Sequence, residues 1–190
     1  MNINVIKDAI YIGDFVENTK SYSGAKPVLY QKSLKVDYAD NLPQGLVTRH
    51  LSIVYFICVK EKIYKIGQTS GKSGIKGCLG FYCNAGQDDP GPNRFTINAL
   101  IREEMKNGNR VSVHIKYIDP VPVRIPGITR EHSIAVPVSA KCLEEAHLTE
   151  YREMVDTLPP WNFQESGRPV PAYINEQFAS YRAMRAMERA

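Results

Sequence analysis

The stretch that most constrains this chain runs from residue 53 to residue 67, IVYFICVKEKIYKIG. An unbroken apolar run over residues 53–59 meets a short polar turn, Lys60-Glu61-Lys62. A second run, Ile63-Tyr64-Lys65-Ile66, follows. Two runs rich in β-branched and aromatic residues, joined by so short a turn, predict a β-hairpin. Gly67 is expected where the backbone leaves the sheet, at a φ angle that side chains disfavour. The Gly-, Ser- and Lys-rich segment after it reads as a loop ahead of a new element.

Residues 1–50 are expected as an extension wrapped on the core. Within them, Ala9-Ile10-Tyr11-Ile12 and Val28-Leu29-Tyr30 fit short strands or helical turns, and Gly13, Gly24, Pro27, Pro43 and Gly45 punctuate the region. Downstream, Ile97, Leu100, Ile101 and Met105 recur at helical spacing, and Asn107-Gly108 supplies a stop. Val111, Val113, Ile115 and Tyr117 alternate and predict a strand. Residues 119–138 are Pro-rich and read as a long loop or edge excursion, since proline removes ladder donors.

A further helix is expected over AKCLEEAHLTEYREMVD. Leu143, Ala146 and Glu150 fall on one stripe of it, and Leu148, Tyr151 and Val155 on another. Glu150 therefore borders a buried face, an unusual place for an unpaired carboxylate. The helix ends before Leu158-Pro159-Pro160-Trp161-Asn162. In the last twenty residues Ile174, Phe178, Tyr181 and Met184 predict an amphipathic C-terminal helix.

At 190 residues, 43% hydrophobic and 23% charged, the chain is long and apolar enough to bury one globular core. No apolar run approaches the roughly 20 residues that span a bilayer. The first residues lack the pattern of a signal peptide. No membrane role and a cytoplasmic location are expected. The four cysteines, Cys58, Cys78, Cys83 and Cys142, form no CxxC pair. Neither a zinc cluster nor a disulfide framework is expected, and Cys58 reads as a small buried hydrophobe. A net charge of +4 allows a nucleic-acid partner without demanding one. Lys60, Lys62, Lys65, Lys72 and Lys76 crowd one segment against Glu61 alone. They form either a solvated surface or a phosphate-facing one that binds DNA in a salt-dependent way.

Val54-Tyr55-Phe56, followed by Lys65-Ile66-Gly67, resembles the paired tripeptides of the GIY-YIG nuclease superfamily. Glu150, with Asn162 twelve residues on after Pro159-Pro160-Trp161, resembles that family's closing motif. The likeness covers roughly residues 51–165, in the family's order. It implies an α/β (α+β) fold with a small central antiparallel or mixed sheet flanked by helices. A nuclease domain would span residues 51–165, between the N-terminal extension (1–50) and a C-terminal helical tail (166–190).

The resemblance further implies metal-dependent hydrolysis of double-stranded DNA, as in type II restriction endonucleases. A phage enzyme that degrades host DNA, or a degenerate DNA-binding member that does not cut, are the alternatives. The implied roles are Tyr55 in deprotonating the attacking water, Lys65 as a neighbouring cation, and Tyr82 in the water network. Glu150 would be the ligand of one Mg²⁺ (or Mn²⁺), and Asn162 would fix the backbone. Lys60, Lys62, Lys72, Gln68 and Arg94 are the implied DNA contacts, and cutting both strands implies a homodimer or homotetramer. The family's arginine after the second tripeptide is missing, because no arginine stands between Gly67 and Arg94. Three readings stay open. Lys76 substitutes as a less directional charge, or Cys78, one helical turn before Tyr82, is an inactivating replacement, or the chain binds DNA without cutting it.

Overall fold

A computed structural model describes all residues except 25, 27, 88, 189 and 190. The sheet has five antiparallel strands in the order β2-β1-β5-β3-β4. They are β1 (Ile10–Ser21), β2 (Lys32–Tyr38), β3 (Ser52–Val59), β4 (Lys62–Thr69) and β5 (Val111–Ile118). Helices α1 (Gly74–Cys83) and α2 (Pro92–Lys106) lie between β4 and β5 in the chain. A separate hairpin of β6 (Val121–Pro126) and β7 (Glu131–Val136) follows β5. Then come α3 (Ala140–Val155), the short α4 (Phe163–Ser166) and α5 (Ala172–Met187). The fold is thus mixed α and β, an antiparallel sheet flanked by helices. Among the described residues no helix is long and apolar enough to cross a membrane.

The unbroken apolar run has a simple cause. Every residue of β3 is buried, because both faces of the sheet are covered here. Ile53, Tyr55, Ile57 and Val59 pack with Ile75 and Leu79 of α1, Phe95 and Ile101 of α2, and Tyr181 of α5. Val54, Phe56 and Cys58 face the opposite way, onto Leu148 and Tyr151 of α3. Period-2 alternation of polarity disappears when each face has a helix on it. Lys60 and Glu61 form the β3–β4 turn with φ of 47° and 64°, the left-handed geometry of a two-residue hairpin turn.

Three features depart from the sequence reading. The first fifty residues are more than an extension, since β1 and β2 supply two of the five strands and β1 pairs directly with β5. The Pro-rich stretch 119–138 holds a regular hairpin, in which Pro122 and Pro126 are tolerated because both its strands are edges. After Gly67 the expected loop, residues 70–73, does lead into a new element, α1, despite three glycines in its ten residues. Gly67 itself lies inside β4 without a positive φ. Its constraint is space: a Cβ there would lie 2.4 Å from the ring and hydroxyl of Tyr55, its cross-strand partner.

Candidate active site

Tyr55 points from β3 towards α1. Its hydroxyl lies 2.7 Å from that of Tyr82, and the two rings meet edge to face at 6.3 Å. The gap left by Gly67 lets the Tyr55 ring lie flat across β4. Burial pushes the Tyr55 phenol well above its usual range, and Tyr82 and Cys78 beside it add to the shift. Burial likewise raises Tyr82.

Lys65, on β4, is half-buried. Burial holds its ammonium below the ordinary lysine range, although Glu165, Glu144 and Cys78 favour the charge. The two glutamates come from different elements, Glu144 from α3 and Glu165 from α4. Burial raises the Glu144 carboxyl, and the neighbouring Glu165 raises it further, while Lys65 acts in the other direction. Lys65, Tyr82 and Glu165 line one narrow cleft with Asn93, Thr96, Trp161 and Phe163.

Asn162 is fully buried and grips β4 at Ile66. Its Nδ2 donates to the Ile66 carbonyl at 2.8 Å, and its Oδ1 accepts from the Ile66 N–H at 2.9 Å. The side-chain amide thereby continues the ladder along an edge strand and fixes the backbone between Lys65 and Gly67. A third bond, from Nδ2 to Glu165 Oε2 at 3.2 Å, orients that carboxylate. Trp161 reinforces the grip, as its N–H donates to the Tyr64 carbonyl at 2.7 Å.

Not every residue singled out from the sequence comes to this cleft. Glu150 sits on the exposed side of α3 with Ala146, because the stripe of α3 that meets the sheet is Leu148 and Tyr151, with Leu143 packed beside them. Glu144 precedes that stripe by four and seven residues, so helical phase carries it to the sheet instead. Lys76 and Lys72 are exposed. Lys60 and Lys62 occupy the turn end of the hairpin, next to the first residues of the chain. An eight-residue strand, roughly 25 Å, separates them from Lys72. Gln68 lines a different cleft, with Ser52 and Lys141. Cys78 lies beside the hydroxyl of Tyr55. Arg94 rises from the first turn of α2 and stacks on Phe81, its guanidinium carbon 3.9 Å from the ring centre.

Two positions escaped the sequence reading. Glu165 carried no signal beyond lying three residues past Asn162. Asn98, fully buried among the apolar positions of α2, donates to the Tyr82 carbonyl at 2.6 Å and the Cys83 carbonyl at 3.3 Å, and so ties down the end of α1. An asparagine on an otherwise apolar helix stripe was the available sign.

Among the described residues no three His, Cys, Asp or Glu side chains gather as a metal cluster. Two carboxylates, Glu165 in the cleft and Glu144 near enough to interact with it, nonetheless outnumber the one lysine they act on. That donor set suits a hard divalent cation that keeps most of its waters.

No protein-family model matches the chain, and no curated protein does. Two solved structures resemble it distantly. A mutant of bacteriophage T4 EndoII is 15% identical with a TM-score of 0.48, over 85% of this chain and 98% of that one. The restriction endonuclease HPY188I in complex with product DNA is 11% identical with a TM-score of 0.43, over 84% of each chain. At this distance the chemistry of the site rests on its own side chains.

Proposed function

We propose that this chain is a GIY-YIG-type endonuclease that uses a divalent metal to hydrolyse phosphodiester bonds in double-stranded DNA, acting as a site-specific restriction enzyme. The observation that carries this reading is the cleft lined by Lys65, Tyr82 and Glu165, with Tyr55 hydrogen-bonded to Tyr82 behind it and Glu144 near enough to interact with Lys65 and Glu165. Phosphodiester hydrolysis needs a base for water, order around the attacking oxygen, and positive charge at the phosphate.

Lys65, held towards its neutral form by burial, is suited to take the proton of the attacking water at Nζ. The paired hydroxyls of Tyr55 and Tyr82 hold that water by hydrogen bonds, as phenols rather than phenolates. Asn162 keeps Lys65 in place through the Ile66 backbone. Glu144 and Glu165 would hold the metal in place of Glu150. When bound, Mg²⁺ or Mn²⁺ offsets phosphate charge and makes a coordinated water more acidic.

One cleft per chain cuts one strand at a time, so double-strand cleavage calls for two copies on DNA. A phage enzyme that breaks down host DNA shares this chemistry and differs in sequence preference alone. Cys78, uncharged beside Tyr55, favours a second reading, a DNA-binding protein that does not cut.

The test is conversion of supercoiled plasmid with Mg²⁺ or Mn²⁺, against the same reaction in chelator. Metal-dependent linear product, with discrete fragments on larger DNA, supports the restriction reading. Discrete cutting would be absent in a non-specific degrading enzyme. DNA retardation that survives chelation without any cleavage favours the binding protein, and neither binding nor cleavage refutes both.

A further inference from the structure

Transfer of a phosphoryl group builds negative charge on oxygens that a permanent cation stabilises best. The cleft is short of one. Lys65 is assigned to the attacking water rather than to the phosphate. Lys72 and Lys76 are exposed, and the position on α1 one turn before Tyr82 is the uncharged Cys78.

Arg94 is the candidate. It neighbours Asn93, which lines the cleft. Its guanidinium lies over Phe81, the residue before Tyr82, at 3.9 Å. Its charge acts on both Cys78 and Tyr82. Phe81 is 54% exposed and offers a flat support: stacking holds the guanidinium plane and leaves the N–H edge free to face an anion in a two-point grip. Among the described residues Arg94 pairs with no carboxylate.

We propose that Arg94, resting on Phe81, is the catalytic cation that grips the scissile phosphate, reaching from α2 the place that Cys78 leaves uncharged on α1. This rests on reading the cleft as a phosphodiester-cleaving site.

The experiment measures plasmid cleavage in Mg²⁺ and duplex binding in Ca²⁺ across a salt series. It compares the wild type with Arg94→Ala, Phe81→Ala, Lys76→Ala, Lys106→Ala and the double variant Arg94→Ala/Cys78→Arg. The expected result is a loss in kcat of about 10²–10³-fold for Arg94→Ala. The loss should be smaller for Phe81→Ala and absent for Lys106→Ala, the charge control at the far end of α2. The slope of log affinity against log salt should fall by about one for Arg94→Ala. The double variant, with a guanidinium on α1 again, should recover most of the lost rate. Wild-type rate and slope in Arg94→Ala overturn the proposal, as does a loss that follows Lys76→Ala instead. If the wild type binds duplex but never cuts, the cleavage reading fails by itself, and the salt slope alone then upholds or overturns the Arg94 phosphate contact. A wild type that neither binds nor cuts overturns both.

Discussion

The chain contains two hairpins of similar apolar content and opposite fate. Every residue of β3 is buried, whereas all twelve residues of β6 and β7 are exposed. Val121, Val123 and Ile125 alternate with polar or proline neighbours, and Val136 and Ile134 stand opposite the first two. That pattern specifies strands as clearly as the run in β3 does. The difference lies in what covers them. α1, α2 and α5 close one face of β3, α3 closes the other, and Asn162 closes the edge of β4. Nothing among the described residues covers the β6–β7 pair. A hairpin acquires the rigidity an active site needs from its neighbours, since two strands alone are barely stable in water.

The largest effect expected from this contrast comes from core truncation. Phe56→Ala removes a fully buried ring that meets His147 at 5.6 Å, and should cost about 3–5 kcal/mol in urea unfolding. Val123→Ala on β6 should stay within about 0.5 kcal/mol. Equal losses would break the contrast.

Asn162→Ala comes next. It strands the N–H and carbonyl of the fully buried Ile66, a loss of about 2–4 kcal/mol that is checked by the same unfolding curve.

The β3–β4 turn holds Lys60 and Glu61 in the left-handed region, which suits Asn-Gly better. Replacing the pair by Asn-Gly should gain about 1 kcal/mol, read as a higher urea midpoint.

The smallest expected change is in α3. The folded Glu144 carboxyl titrates above its usual range, chiefly because it is desolvated. A group raised on folding favours the native state below its unfolded pKa, and that advantage is lost as pH rises through the folded value. At neutral pH the ionised Glu144 is therefore a liability. Glu144→Gln should raise Tm modestly at pH 7, with the gain vanishing as the pH falls through the carboxylate range. Mg²⁺ should raise the Tm of the wild type and leave that of Glu144→Gln unmoved.

The sequence was legible where period and burial agree. β3, β4, α2, β5, α3 and α5 follow from their apolar spacing. α1 was expected as a new element but its bounds were blurred, because Gly74, Gly77 and Gly80 lower helix propensity by about 1 kcal/mol each, a cost that Ile75 and Leu79 offset by packing under the sheet. β1 and β2 were hidden by charged residues and by Gly13, whose missing Cβ lets the β2 backbone at Asp37 come close.

Tyr55, Lys65, Tyr82 and Asn162 were picked out by motif and spacing, and these four stand together around β4 and α1. The carboxylates proposed here as metal ligands were not among the residues singled out. Choosing between Glu144 and Glu150 requires knowing which stripe of α3 meets the sheet, and two candidate stripes were visible. Glu144, Leu148 and Tyr151 share an i, i+4, i+7 spacing, a signal present in the sequence but outweighed by the twelve-residue interval from Glu150 to Asn162.

The central claim, that the Lys65 cleft with its α3 carboxylate is where DNA is cut, is tested most directly by plasmid cleavage with Mg²⁺. The proteins to compare are the wild type, Glu144→Gln and Glu150→Gln. The account predicts linear product from the wild type and Glu150→Gln, and at least a 10²-fold loss for Glu144→Gln. Cleavage that survives Glu144→Gln and disappears in Glu150→Gln would contradict it.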